Sequence, residues 1–256
     1  MGKTVLETET QSDINPASVS MDTLREAEND RPLYELSGLP LPIIHKEFHF
    51  SARQLATSRN GATPLDTSMA EMAGRKVAEE AEKMALGVST VRDQFKWGGN
   101  TIYGLTDFPN RLTKTITSPT ASGWAGSTLV TEVLAMRAQS VAAFHYGPWM
   151  LYVGTGWDQY LDDDYSSSKG DNTLRERVEK IEGIQDVRTL DYLSGYSMIL
   201  VQMTTDVIRE VVGMEVTTVQ WDERGGMKKN FMVMAILVPQ LRADQNSNTG
   251  IVHATV

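Results

Sequence analysis

The chain has 256 residues, 41% apolar and 22% charged, with a formal net charge of −9, four histidines and no cysteine. That length supports one large domain or two small ones with a sizeable core. The acidic balance argues against general phosphate-backbone binding, and the missing cysteines exclude disulfides and thiolate chemistry. No run of about 18 apolar residues offers a membrane span, and the opening MGKTVLETETQSD lacks the apolar core of a signal peptide.

Residues 3–10, KTVLETET, alternate and predict a strand with thinly apolar faces. Residues 11–31 are polar and acidic. Residues 32–51, PLYELSGLPLPIIHKEFHFS, return as a long extended segment in which Pro40 and Pro42 exclude a helix. Two strands around a long polar tip make a protruding β-hairpin. Such a hairpin is marginal alone, so it predicts support from a neighbouring subunit.

Residues 63–87, TPLDTSMAEMAGRKVAEEAEKMALG, predict a long helix. Thr63, Pro64 and Asp66 supply start signals, and Gly87 a stop. Leu65, Met69, Met72, Ala73, Val77, Ala81, Met84 and Ala85 follow helical spacing, which reads as a helix packed on a sheet. Glycines and Pro109 make residues 95–117 loop and short strand. Residues 127–144 predict a helix capped by Ser127, 149–156 a buried strand, and 173–183 a short helix. DVRTLDYL and SMILVQMT supply strands, and residues 205–212, TDVIREVV, a short helix or helical turn. MEVTTVQW and MKKNFMVMAILV flank DERGG as a hairpin whose last strand is central. Residues 239–256 read as a polar tail. The order is α+β rather than a regular βαβ alternation.

Motifs for chemistry are sparse. No Gly-rich dinucleotide fingerprint, phosphate-binding loop or nucleophile elbow is present. GTGW at 154–157 lacks the remaining glycine and the helix of a phosphate cradle. Asp162, Asp163 and Asp164 are the densest acidic cluster, but consecutive carboxylates in a loop diverge, unlike the alternating ligands of calcium loops. His45 and His49 bracket Glu47 in LPIIHKEFHF. A zinc-protease site needs this spacing on a helix, with Glu directly after the first His. In a strand the two residues share a face about 13 Å apart, too far for one ion.

The run YELSGLPLPIIHKEFHFSARQLATSRNGATPLDTSMAEMAGRKVAEEAEKMALG, followed by GGNTIYGLTDFPNR, resembles the encapsulin-like branch of tailed-bacteriophage major capsid proteins with the Hong Kong 97 fold. The resemblance is strongest over residues 2–115 and continues beyond them by element order. It implies an α+β fold with an extended β-hairpin arm, the E-loop, at residues 1–50. It further implies a peripheral domain at 51–118 with a spine helix at 63–87, an axial domain at 119–212, and a return hairpin with the C-terminal tail at 213–256. Members normally carry a segment before the E-loop, whereas this chain begins at the E-loop strand; either that segment is cleaved or disordered, or the numbering begins inside the gene product.

Functionally the resemblance implies a shell subunit with no enzymatic activity and no cofactor. It assembles as pentamers and hexamers of an icosahedral shell around phage double-stranded DNA, without reading DNA sequence and without a membrane. Portal and decoration proteins are its expected partners. Its expected location is the virion, assembled in the bacterial host cytoplasm. An encapsulin compartment around an enzyme cargo is the alternative; a soluble metal-dependent enzyme using Asp162–Asp164 is the remote one. Charge and position nominate Arg25, Glu26, Glu28, Arg31, His45 and His49 as subunit contacts. Some shells of this fold lock themselves through an E-loop lysine. No lysine occurs between Lys3 and Lys46, so a shell without such cross-links is expected.

Overall fold

The computed structural model describes residues 2–11, 21, 31–32, 34–61, 67–87, 95–165, 172–193, 195–244 and 246–256. The fold is α+β. Strands β1 (Val5–Gln11) and β2 (Tyr34–Pro40) pair antiparallel, with Val5 opposite Pro40 and Gln11 opposite Tyr34. They form the arm. The next strand, β3 (Ile44–Ser51), leaves it. The arm's ladder runs through Pro40 to Leu41 N–H on Thr4 O at 2.9 Å, and past Pro42 β3 becomes an edge of a different sheet, antiparallel to the later strand β11 (Lys228–Leu241). LPIIHKEFHF is therefore not the descending strand of the arm. Pro42, with no N–H to donate to a ladder, falls within the break at residues 41–43.

Helix α1 (Ala52–Arg59) follows, closed by a capping box between Ser51 and Gln54. Helix α2 (Ser68–Leu86) is the long helix that the periodicity predicts. Thr63, Pro64 and Asp66, expected to begin it, lie outside the described residues. It buries Ala73, Val77 and Met84 with Ile44 of β3 and with Val233, Ala235 and Val238 of β11. Leu6 and Leu39 from the arm's root join the same core. The third strand of this sheet is β10 (Ile208–Glu223), paired to β11 along nearly its whole length. The helix expected over 205–212 survives as one turn, closed by Ile208 N–H on Thr204 O. β-Branched residues and the long partner strand override the helical spacing of Val207, Ile208, Val211 and Val212.

A five-stranded mixed sheet makes the second unit. Its strands are β6 (Leu112–Thr115), β7 (Trp149–Gly154), β8 (Ile184–Leu190), β9 (Met198–Gln202) and β12 (Ile251–Thr255), in the order β6-β12-β9-β7-β8. Two segments sit here against expectation. Leu112–Thr115, read as peripheral, forms the edge, and Ile251–Thr255, read as tail, lies between β6 and β9 with Ile251, Val252 and Ala254 buried. IVHAT is too short and too isolated by polar residues to show itself locally; its pairing is entirely non-local.

Helices α3 (Gly126–Ala142), α4 (Asp158–Leu161) and α5 (Leu174–Glu179) belong to this unit, and its core gathers Leu129, Val133 and Met136 of α3 with Leu151, Trp157, Val178 and Leu200. α3 starts at Gly126 behind Ala125, with no side-chain cap, one residue before the expected Ser127. The minor strands β4 (Lys96–Trp97) and β5 (Asn100–Thr101) form a small hairpin.

The two units join through GLTDFPN. The last carbonyls of α2 have no partner within the helix. Leu105 N–H donates to Ala85 O at 3.0 Å, and Thr106 gives its N–H and its hydroxyl to Leu86 O at 2.9 and 2.8 Å. Gly87, in the left-handed region at φ 70°, and Gly104 meet backbone to backbone, leaving no room for a Cβ on either. Leu105 and Phe108 then pack with Leu86, Ile199, Val201 and Ile251. GLTDFPN is thus the cap of the long helix and the joint between the sheets.

Candidate functional site

The arm combines a fixed root with exposed apolar side chains further out. One face of its root carries Leu6, Thr8, Leu39 and Ser37. Leu39 is buried in the α2 core with Leu6 packed half-buried against it, and Thr8 receives a hydrogen bond from buried Gln240 Nε2 at 3.3 Å. Arg209 Nε donates to the Oε1 of the same glutamine at 2.5 Å. On the other face, a Cβ on Gly38 would run into the side chain of Asn100. The root is held from both sides, so the direction of the arm is fixed by its own chain. Further out the arm is bare. Tyr34 and Leu36, on the Gly38 face, are 61% and 72% exposed, and Glu9 opposite Leu36 is exposed too. Large exposed apolar side chains beside charge are the composition of an unoccupied contact surface.

Four of the nominated residues fall in sequence between β1 and β2. Arg25, Glu26 and Glu28 lie outside the described residues. Arg31 is exposed. The other two, His45 and His49, sit on β3 and not on the arm. Both are exposed on the same face, opposite Met234 and Asn230 of β11, while Ile44 and Phe50 point inward and Phe48 stacks on Phe231 at 5.3 Å. The six nominated positions therefore divide between two regions.

The acidic loop is internally satisfied. Arg175 donates to Asp158 Oδ1 at 3.0 Å and to Asp162 Oδ1 at 3.3 Å; the N–H of Asp164 donates to Asp163 Oδ1 at 2.9 Å. Among the described residues, no group of three or more His, Asp or Glu side chains converges as metal ligands. Among the same residues, no helix is long and apolar enough to cross a membrane.

Reasoning from sequence missed a second set of exposed apolar residues: Trp97 on the β4–β5 hairpin, and Phe144, Tyr146 and Met203 at one end of the five-stranded unit. The usable signal was an aromatic inside a glycine-bearing turn, as in KWGGN and FHYGP. Such a turn seldom carries core residues, so a large ring there has somewhere else to go.

Known proteins share this arrangement. The chain is similar to the capsid of Myoviridae phage XM1, with a TM-score of 0.69 and 11% identity over 99% of this chain and 86% of that one. A chain from Mycobacterium phage Bobi gives 0.69 and 13%, covering 100% and 86%. The virus-like particle of Pyrococcus furiosus gives 0.64 and 17%, covering 96% and 86%. The fold is the Hong Kong 97-type capsid fold, as the arm, long helix and GLTDFPN implied. No curated protein matches the chain. The profile of one family does match, over residues 1–254, and the chain belongs to that family, described as a family of unknown function (DUF6260).

Proposed function

We propose that this chain is a major capsid protein, which self-assembles into the icosahedral shell enclosing phage double-stranded DNA and catalyses no reaction. The observation that carries this reading is the fold, shared along almost the whole chain with a phage capsid and a virus-like particle. The bare arm supports it, because a rigidly rooted hairpin with exposed Tyr34 and Leu36 suits a neighbouring copy. In this reading the arm lies over a neighbour, the five-stranded unit is the axial domain around the symmetry axes, and the α2 unit is peripheral. Head-to-tail contacts of this kind close under rotation. The net charge of −9 keeps the shell from adhering to packaged DNA. Portal and decoration proteins complete the virion, which assembles in the host cytoplasm. Arg25, Glu26, Glu28, Arg31, His45 and His49 remain nominated contacts. Identical assembly of a His45→Gln, His49→Gln double variant and the wild type removes the two histidines from that set.

Electron microscopy of the purified full chain tests the reading. Closed shells or their capsomers are expected; a strict monomer under all assembly conditions refutes it. Nuclease-protected double-stranded DNA inside native particles distinguishes a capsid from the alternative, an encapsulin compartment with an enzyme cargo. With no lysine between Lys3 and Lys46, boiled denaturing gels of the particle are expected to show one band at the monomer mass. A covalent ladder contradicts this.

A further inference from the structure

Phe144 is unfavourable twice over. Its backbone is held at φ 64°, a region that bulky residues avoid, and its ring is 71% exposed. The turn around it is nonetheless tightly specified. The N–H groups of Ala143, Phe144 and His145 donate to carbonyls of Gln139, Ser140 and Val141 at 3.0–3.1 Å. Ser140 Oγ donates to His145 O and accepts from Trp149 Nε1 at 2.9 Å. Gly147 N–H donates to Gln202 Oε1 at 3.1 Å, and Met203 N–H to Pro148 O at 2.9 Å. The last two bonds bring Met203 beside the turn, where it and Tyr146, 67% exposed, add further apolar surface. Rings fixed outward on a rigid turn are preorganised for contact.

The surface continues along α3. Its exposed residues are Ser127, Thr131, Leu134, Ala138, Val141 and Ala142, which share one side of the helix, and none is charged. The opposite side buries Leu129, Val133, Met136 and Ser140. A helix whose fully exposed residues are all uncharged, with its one outward-leaning cation, Arg137, half-buried, suits a second covering.

We propose that this continuous face, Phe144, Tyr146 and Met203 together with Leu134, Ala138 and Val141, is where a second copy of this chain packs; the assignment rests on the shell reading. Charge selects the occupant. Each copy carries −9, so copies repel broadly, whereas none of the six side chains of this face is charged; Arg137, at its margin, turns to the Trp149 ring and to Glu182. A nucleic acid or a strongly charged partner finds little there to pair with, since Arg137 is half-buried and already paired with Glu182. Size agrees: α3 offers roughly 25 Å by 10 Å, well under the ~800 Å² per side of a stable pair. One such contact is weak, while a closed ring in which every copy gives and receives it adds many.

The test uses the full chain with Ala138→Glu, which buries a charge at the contact, and with Phe144→Asn, which removes the ring but keeps a residue at ease with positive φ. Both positions are exposed, so circular dichroism and melting temperature are expected to match wild type. Sedimentation velocity and electron microscopy then read assembly. If wild type forms shells, Ala138→Glu is expected to stay unassembled and Phe144→Asn to need about tenfold more protein. Shells from both variants at the wild-type concentration overturn the inference and leave the shell reading intact. If wild type forms only small oligomers that Ala138→Glu dissolves, the inference stands and the shell reading fails. A wild type that is monomeric at every concentration overturns both.

Discussion

The two longest helices answer water differently. α2 buries Ala73, Val77 and Met84 on one side and on the other exposes Glu71, Arg75, Lys76 and Glu82. Its outer face is laced by ion pairs, Lys76 to Glu79 at 2.6 Å and Arg75 to Glu79 at 3.1 Å. α3 buries an equally apolar side, yet its outer face offers only Ser127, Thr131, Leu134, Ala138, Val141 and Ala142. Surface ion pairs add little stability. Their use on α2 is that they keep the face solvated and unattractive to other copies. On α3 an ion pair, Arg137 to Glu182 at 3.9 Å, lies at the margin, and the exposed stripe itself carries no charge, as the proposed contact requires. Helical spacing identifies both helices and cannot separate them; the charge on the outward stripe does.

The largest effect is expected at the anchor that only α2 possesses. A Cβ on Gly104 would penetrate the backbone of Gly87 and Leu86, where no side chain can yield. Gly104→Ala is therefore expected to cost about 3 kcal/mol or more and to leave the chain largely insoluble. A soluble variant with the wild-type melting temperature would show that the α2 cap is not the joint between the two sheets.

The inner faces of the helices should not differ. Met84 of α2 and Met136 of α3 are both buried. Truncating either to alanine is expected to lower stability by about 3 kcal/mol through lost burial and the cavity left behind. Urea unfolding of the two variants checks this. A difference of more than about 2 kcal/mol would mean that the cores themselves, not just the outer faces, set the helices apart.

What could be read from the chain was local. The Met/Ala spacing of α2, the Gly87 stop, the β10–β11 hairpin around DERGG and the buried strand at 149 are all encoded within a few residues of themselves. What failed depended on distant partners. IVHAT became an inner strand because β6 and β9 flank it, and LPIIHKEFHF left the arm because β11, roughly 180 residues later, pairs with it. VIREVV fits helix and strand alike until β11 decides. The contact surfaces were half legible. Acidic and basic letters near the arm drew attention to Arg25–Arg31, whereas Phe144 and Tyr146 show their significance only once the turn is seen to hold them outward.

Beneath α3, the sheet carries a smaller, pH-dependent contribution. His253 of β12 lies opposite Ile199 and Thr113. Burial chiefly, and the positive charge of Arg111 second, bring its pKa down to about 4 from the usual 6.5. The folded chain thus keeps His253 neutral where the unfolded chain already binds a proton. Stability is unaffected above pH 6.5, is lost as pH falls from 6.5 towards 4, and changes no further from this source below that. Partial exposure discounts the effect to about 1–2 kcal/mol. Measured as the difference between wild type and His253→Gln at pH 7 and pH 4.5, which cancels the carboxylates common to both, the loss should disappear in the variant. An equal loss in both would assign it elsewhere.

The smallest effect on the subunit is expected where the comparison began. Leu134 of α3 and Met72 of α2 are both exposed apolar residues on the outward side of their helices. Replacing either by alanine removes almost no buried area, so the stability of the isolated subunit should change by less than about 0.5 kcal/mol in each case. The variants should separate only in assembly. Met72 stands among Glu71, Arg75 and Lys76, and a copy approaching it must displace the water around those charges. Leu134 stands between Thr131 and Ala138, and its charged neighbour Arg137 is half-buried against the Trp149 ring. Leu134→Ala is therefore expected to raise the protein concentration at which particles form, and Met72→Ala to leave it where it was. Equal shifts would mean that the two outer faces meet other copies alike, and that the lack of charge along α3 reflects something other than contact.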